Sequence, residues 1–386
     1  MRTGIATFIF LFLAACTRSI SQGSIPTLAV EFTPAFSPTP TQTSTEILVP
    51  IPSSTVIPSP APTQTQIPTE TATPALAPLI TLVFTGQIIP ARCVQAAIDA
   101  KGNADYLYES VSDFLKQADL TLSTLNASLS DVAPKTGCVE TSILTGSPES
   151  ADAMARAGFD VMSVASNHIK DCSKTNCGDQ AFIETLANLR RVEILPVGAG
   201  NNQGEAMQPL IVEVNDLRFG IVSLSQMEQD AFAGKNSPGI GVLNEENLRA
   251  AIAIAREMAD VVIVMPYWGL EEYTHMPDPS QLELAQVAVD AGADLIVGNH
   301  TQYIQAFGEV NGVPVFYGLG NFVFDDTQER KRQQSLILRV YFQGAKYLGF
   351  EIFPTITEKD GRVHLADEQE TAKILDNLQE INEALP

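Results

Sequence analysis

The apolar run from Leu79 to Phe84, closed by Thr85-Gly86, predicts a buried strand that feeds a loop. Beyond it Leu107, Val111, Phe114 and Leu115 fall at helical spacing, and Ala118 to Leu125 reads as the next strand. The unit then recurs. Ser150 to Ala157 predicts a helix stopped by Gly158, Phe159 to Ala165 a buried strand that delivers Ser166-Asn167-His168, Gly178 to Arg190 a helix, and Val192 to Val197 a strand. Pro209 to Val214 and Arg218 to Leu224, joined by Asn215-Asp216, read as a hairpin. Leu248, Ala251, Ile252, Ala255 and Met258 line one helix face ahead of a strand at Asp260 to Pro266. Leu282, Ala285, Ala288 and Val289 mark another helix ahead of Asp294 to Val297. Such alternation predicts an α/β fold with a largely parallel sheet and helices outside it. Late in the chain Val313 to Tyr317, Leu336 to Phe342, Gly349 to Pro354 and Arg362 to Leu365 read as antiparallel strands, before a helix from Asp367 to Ala384.

Before Leu79 the pattern differs. Residues 1–15 carry Arg2, an apolar stretch from Ile5 to Leu13 and small residues up to Cys16, the form of a secretory signal too short to span a bilayer. Leu-Ala-Ala ahead of Cys16 resembles a bacterial lipobox, which leaves a lipidated N-terminal cysteine; the alternative is an ordinary signal with an incidental cysteine. Residues 16–78 are mainly Pro, Thr, Ser, Gln and Ala, which cannot bury enough apolar area to offset their ordering entropy. They predict a disordered, proline-stiffened stalk. The chain thus divides into a signal (1–15), a lipid-anchored stalk (16–78) and one large domain (79–386), an extracytoplasmic membrane lipoprotein at the cell surface.

The formal charge of −22 lies almost wholly after the stalk and argues against a nucleic-acid partner. It also disfavours broad contact with a polyanion, so an anionic or polymeric ligand needs a local cationic feature. Cys93, Cys138, Cys172 and Cys177 form an even set in an exported chain and allow three pairings. The short loop between Cys172 and Cys177 favours their pairing, which leaves Cys93 with Cys138.

In open α/β sheets, reactive groups collect in the loops after strand carboxyl ends. Those positions hold Gln87, Asn126, Asn167-His168, Tyr267-Trp268, Asn299-His300 and, later, Asn321. Imidazoles and amide oxygens there suit a metal or phosphate site, although each Asn alone also suits a turn.

Thr85-Gly86, Asn126, Asn167-His168, Trp268-Gly269 with Glu271-Glu272-Tyr273, Pro277 with Gln281, Gly298 with His300, and the string YGLGNFVF from Tyr317 to Phe324 together resemble the CapA-like proteins of capsule and poly-γ-glutamate synthesis. The likeness covers nearly the whole domain. It implies a metallophosphoesterase-like α/β/β/α sandwich, with a metal site at the strand ends whose usual motifs are Gly-Asp, Asn-Leu-Glu, Asn-His, His-Trp-Gly and Gly-His-His-Pro-His. This sequence departs from four of them. Gln87 stands in place of the Asp, Ala127 or a neighbour in place of the Glu, Tyr267 in place of the His before Trp, and Gly298-Asn299-His300-Thr301-Gln302 in place of the His-rich loop.

A neutral amide attracts a divalent cation far less than a carboxylate does. What the resemblance leaves is His168 and His300 as catalytic candidates, and Asn167, His168, His300, Asn126 and Gln87 as ligands for one divalent ion (Mn, Zn or Fe) or none. Tyr267, Trp268, Asn299 and Asn321 are expected around the pocket. Asp171 reads either as an acceptor orienting His168 or as a helix cap. His275 reads as a loop residue or a ligand, and His364 as structural. The expected function is a surface-anchored CapA-like protein of polymer synthesis or assembly with a degraded metal site. The alternative is an active metal-dependent hydrolase in which Asp171, Asp325 or Glu271 supplies the missing ligands.

Overall fold

The computed structural model describes residues 28–30 and 77–385, apart from 175–176, 228 and 271–274. The signal segment, Cys16, nearly all of the stalk and Glu271 therefore lie outside the described residues.

Two sheets lie face to face with helices on both outer sides. The first sheet runs in the order Leu28–Val30, Lys346–Thr357, Gln334–Gln343, Leu79–Ile88, Leu120–Leu125, Val161–Ser163 and Leu195–Val197, with Asn321–Val323 beside Leu79–Ile88 and Val363–Leu365 beside Lys346–Thr357. The second runs Phe307–Val310, Val313–Phe316, Leu295–Val297, Val261–Trp268, Leu217–Ser225 and Leu210–Val214, with Asn299–His300 beside Val261–Trp268. Leu79–Ile88 through Leu195–Val197 pair in parallel, as do Leu217–Ser225 through Val313–Phe316.

The two-residue strand period builds the layers. Ile80, Leu82 and Phe84 point between the sheets, against Phe219, Ile221, Val261 and Ile263. Val83 points the other way, onto Val94, Ile98, Met154 and Leu189 of the flanking helices Cys93–Lys101, Glu149–Ala157 and Gln180–Arg191. Val262 and Val264 likewise meet Leu248, Ile252, Leu284 and Ala288 of Glu245–Met258 and Pro279–Ala291. The result is the α/β/β/α sandwich that the family resemblance implies.

The hairpin turn falls at Asn215 (φ 50°) and Asp216 (φ 64°), two polar residues that tolerate left-handed backbone. Two expectations change. Leu107 to Leu115 is not one helix but a 3-10 turn at Asp105–Leu107 and a single turn at Ser112–Leu115. Val313 to Tyr317 joins the second sheet, parallel to Leu295–Val297 and antiparallel only to Phe307–Val310, a strand the sequence pattern did not show. Within the stretch read as stalk, the three described residues Leu28–Val30 pair antiparallel with Phe350 to Ile352 at the sheet edge.

The last helix, Glu368–Glu383, is capped by Asp367, whose carboxylate accepts the Glu370 N–H at 2.8 Å. Asp367→Ala is expected to cost about 1 kcal/mol of stability, read from the urea midpoint.

Candidate functional site

The carboxyl ends of both sheets meet at one edge of the sandwich. Gln87 lies opposite Asn321 in the first sheet, and Tyr267 and Trp268 lie opposite Asn299 and His300 in the second. The chain turns sharply there: His300 has φ 129° and Gln302 φ 64°. Gly86 admits the Gly320 carbonyl, which a Cβ would strike.

Gln87, Asn126, Asn167, His168, Tyr267 and His300 form the polar lining of a small cleft of about 30 Å³, and Ile89, Leu144, Gln302 and Phe324 complete its walls. The cleft therefore gathers both histidines and the three neutral amides expected there. Its size suits a water or the tip of a ligand.

The amides are bound to one another. Asn126 Nδ2 donates to Tyr267 Oη at 2.8 Å and to Gln87 Oε1 at 3.3 Å, while Asn126 Oδ1 accepts the His168 N–H at 2.9 Å. The Tyr267 hydroxyl donates to Asn167 Oδ1 at 2.7 Å, with Gln87 Oε1 farther away at 3.3 Å. Gln87 Nε2 donates to Asn321 Oδ1 at 2.8 Å and to the His300 carbonyl at 3.3 Å.

His168 Nδ1 lies 2.6 Å from Asp171 Oδ2, an oxygen that also accepts the Leu144 N–H at 2.8 Å. Asp171 thus orients the imidazole from behind. With Nδ1–H engaged by a carboxylate, Nε2 is the ring nitrogen left with a lone pair. His300 is buried, tilted against the Tyr267 ring at 4.7 Å. Burial first, and the neighbouring His168 second, push its pKa down to about 4, so it is neutral at pH 7.

Other expected site residues sit elsewhere. Trp268 does not line the cleft: adjacent strand residues face opposite ways, so Tyr267 points in and Trp268 points into the outer core. There its indole N–H donates to the Tyr317 carbonyl at 2.9 Å, and its ring stacks on that of Tyr317. Asn299 lies below the cleft, with Nδ2 on Thr124 Oγ1 at 3.1 Å, and Asn321 stands behind Gln87.

His275 is bonded to the Ile304 carbonyl and to Lys331, and His364 to Glu358, both away from the cleft lining. Asp325 is held by the Arg92 guanidinium and the Cys93 N–H. Disulfides join Cys93 to Cys138 and Cys172 to Cys177. Ile89, Leu144, Gln302 and Phe324 went unsuspected as cleft walls. Phe324 had a signal, as the last residue of YGLGNFVF; Leu144 sits in a loop without periodicity.

These residues do not fit the metal site that the resemblance implies. Among the described residues no three His, Cys, Asp or Glu side chains stand close enough to share an ion. The amide oxygens of Gln87, Asn126 and Asn167 each already accept a hydrogen bond from a neighbour. A cation entering here would compete with those hydrogen bonds and would meet no carboxylate among the described residues that line the cleft.

Residues 81–326 match the family model described as bacterial capsule synthesis protein PGA_cap. The chain is 31% identical over 279 residues to the capsule biosynthesis protein CapA of Bacillus anthracis, covering 69% of this chain and 66% of that protein. It is 29% identical over 261 residues to the PGA biosynthesis protein CapA of Bacillus subtilis, covering 67% of each. Among solved structures, a phosphatase from Mycoplasma pneumoniae aligns at 12% identity and TM-score 0.45, covering 78% of this chain and all (100%) of that one. The calcineurin-like phosphoesterase YfkN of Bacillus subtilis aligns at 13% identity and TM-score 0.43, covering 80% and 99%. With a family match spanning more than half of its length, the chain belongs to the PGA_cap family of bacterial capsule synthesis proteins.

Proposed function

We propose that this chain serves the synthesis or assembly of a capsular or poly-γ-glutamate type of polymer, and that its cleft binds a ligand group by hydrogen bonds with little or no hydrolysis. Two relatives named for capsule and PGA biosynthesis support the first half. The observation that carries the second is the closed amide–tyrosine network, in which the oxygens of Gln87, Asn126 and Asn167 are all engaged. His168 Nε2 and the neutral His300 remain as the groups that could meet a ligand tip.

The test is metal content and turnover of the purified full chain supplied with manganese or zinc. The expected result is substoichiometric metal, and phosphoester and amide hydrolysis at background, unchanged by His168→Ala. One metal per chain, with turnover abolished by His168→Ala, overturns the reading. Of the replacement ligands that the hydrolase alternative needs, Glu271 lies outside the described residues and the two described ones are already engaged. Asp171 is engaged with His168 and the Leu144 N–H, and Asp325 with Arg92 and Cys93.

The reading includes a position outside the membrane, held there by a lipid on Cys16 and set off by the stalk, as the lipobox-like Leu-Ala-Ala-Cys supports. Cys16→Ala is expected to move the chain from the membrane fraction to the soluble fraction. Retention in the membrane would refute the anchor.

A further inference from the structure

A larger cleft lies away from the His168–His300 site, between the turns at Asp105–Leu107 and Ser112–Leu115 and the helix Glu149–Ala157. It measures about 260 Å³, and its polar lining is Asp105, Tyr108, Glu109, Ser112, Lys116 and Arg156. That volume is close to the lower end for small-molecule sites and too small for a folded partner.

Its charges are arranged unevenly. Asp105 and Arg156 neutralise each other through Nε at 2.8 Å and Nη2 at 2.6 Å. Lys116 and Glu109 have no ion-pair partner among the described residues, so one cation and one anion are left facing the same space. Gly158 (φ 102°) leaves room for the stem of Lys116, since a Cβ there would come within 2.9 Å of Lys116 Cγ.

Tyr108 supplies an independent sign. Its side chain is 1% exposed, it lines this cleft, and its buried hydroxyl has no hydrogen-bond partner among the described residues. A buried hydroxyl without a partner is destabilising, and a polar atom reaching it from the cleft would satisfy it.

We propose that this cleft binds a small zwitterion with one carboxylate and one ammonium group, of which an α-amino acid is the simplest form. Lys116 takes the carboxylate, Glu109 takes the ammonium, and the Tyr108 hydroxyl bonds to a polar atom of the ligand. A dianion would meet the unpaired Glu109 on a chain of net charge −22, and a simple amine would meet the unpaired Lys116. Only a ligand carrying both signs is matched at both ends.

The test titrates the full chain, by calorimetry or ligand-observed NMR, with the standard α-amino acids and with the amine and the carboxylic acid derived from each one that binds. At least one amino acid is expected to saturate a single site, with its singly charged derivatives weaker by about tenfold or more. Lys116→Met and Glu109→Gln are each expected to weaken it by about tenfold. Tyr108→Phe is expected to raise the Tm of the free chain while reducing the ligand-induced rise. Absence of saturable binding by any amino acid, or binding indifferent to both charge variants, overturns the proposal. An undiminished ligand-induced rise in Tyr108→Phe removes the hydroxyl from it.

Discussion

Replacing Asn126 by alanine is expected to lower the unfolding free energy by about 3 kcal/mol, with a fall in Tm of about 6 to 10 °C for a domain of this size. Asn126 is 3% exposed and joins three strand ends: it accepts from the His168 backbone and donates to Tyr267 and Gln87. Alanine leaves the His168 N–H and the Gln87 carbonyl short of partners in a place that water reaches poorly, and it opens a void beside them. Tyr267→Phe removes one hydroxyl but keeps the ring against His300, so it is expected to cost about half as much. Urea unfolding of both variants checks the pair. A loss below about 1 kcal/mol for Asn126→Ala would show that the network is held by its surroundings, not by this side chain.

That network was the least legible part of the molecule. Asn126, Asn167 and Gln87 could be placed at strand ends from the sequence, because the apolar runs before them are plain. A lone amide after a strand nevertheless looks the same whether it closes a turn or bonds to four other loops. Satisfaction of a polar group depends on partners tens to hundreds of residues away, and Tyr267 and Gln87 are 180 apart. Local pattern carries no trace of such pairs.

The layers were far easier to read. Leu79 to Phe84 is apolar at nearly every position because one face meets the second sheet and the other meets helices. The same period explains why Trp268 is core and not a pocket wall: with Tyr267 facing the cleft, the next side chain must face away. Val313 to Tyr317 was placed in the wrong set because a short apolar run gives no information about parallel or antiparallel pairing. Its parallel partner Leu295–Val297 is chosen by the helix-covered core that both strands share.

Acid is expected to weaken the fold through His300, and the direction follows from its environment. Its pKa in the folded chain is about 4, below the ordinary value of 6.5, because burial and the adjacent His168 disfavour the imidazolium. Between those two values the unfolded chain holds more protons at this residue than the folded chain does. The stability that the neutral imidazole contributes is therefore complete above pH 6.5, declines as pH falls, and is lost once the pH passes below the folded value near 4. At 1.36 kcal/mol per unit the whole effect is about 3 kcal/mol.

The 45 Asp and Glu residues also titrate toward the lower end of this window, and their protonation relieves self-repulsion in a chain of charge −22. Total stability against pH would therefore mix opposing trends. The comparison that isolates His300 is wild type against His300→Asn, chosen because Asn tolerates positive φ better than most residues at a position where φ is 129°. Urea unfolding at pH 7, 5.5 and 4 is expected to show wild type losing about 3 kcal/mol relative to the variant as the pH falls. A gap that stays constant across that range would mean that His300 takes up its proton in the folded chain as readily as in the unfolded one, and that the cleft floor is wetter than its burial implies.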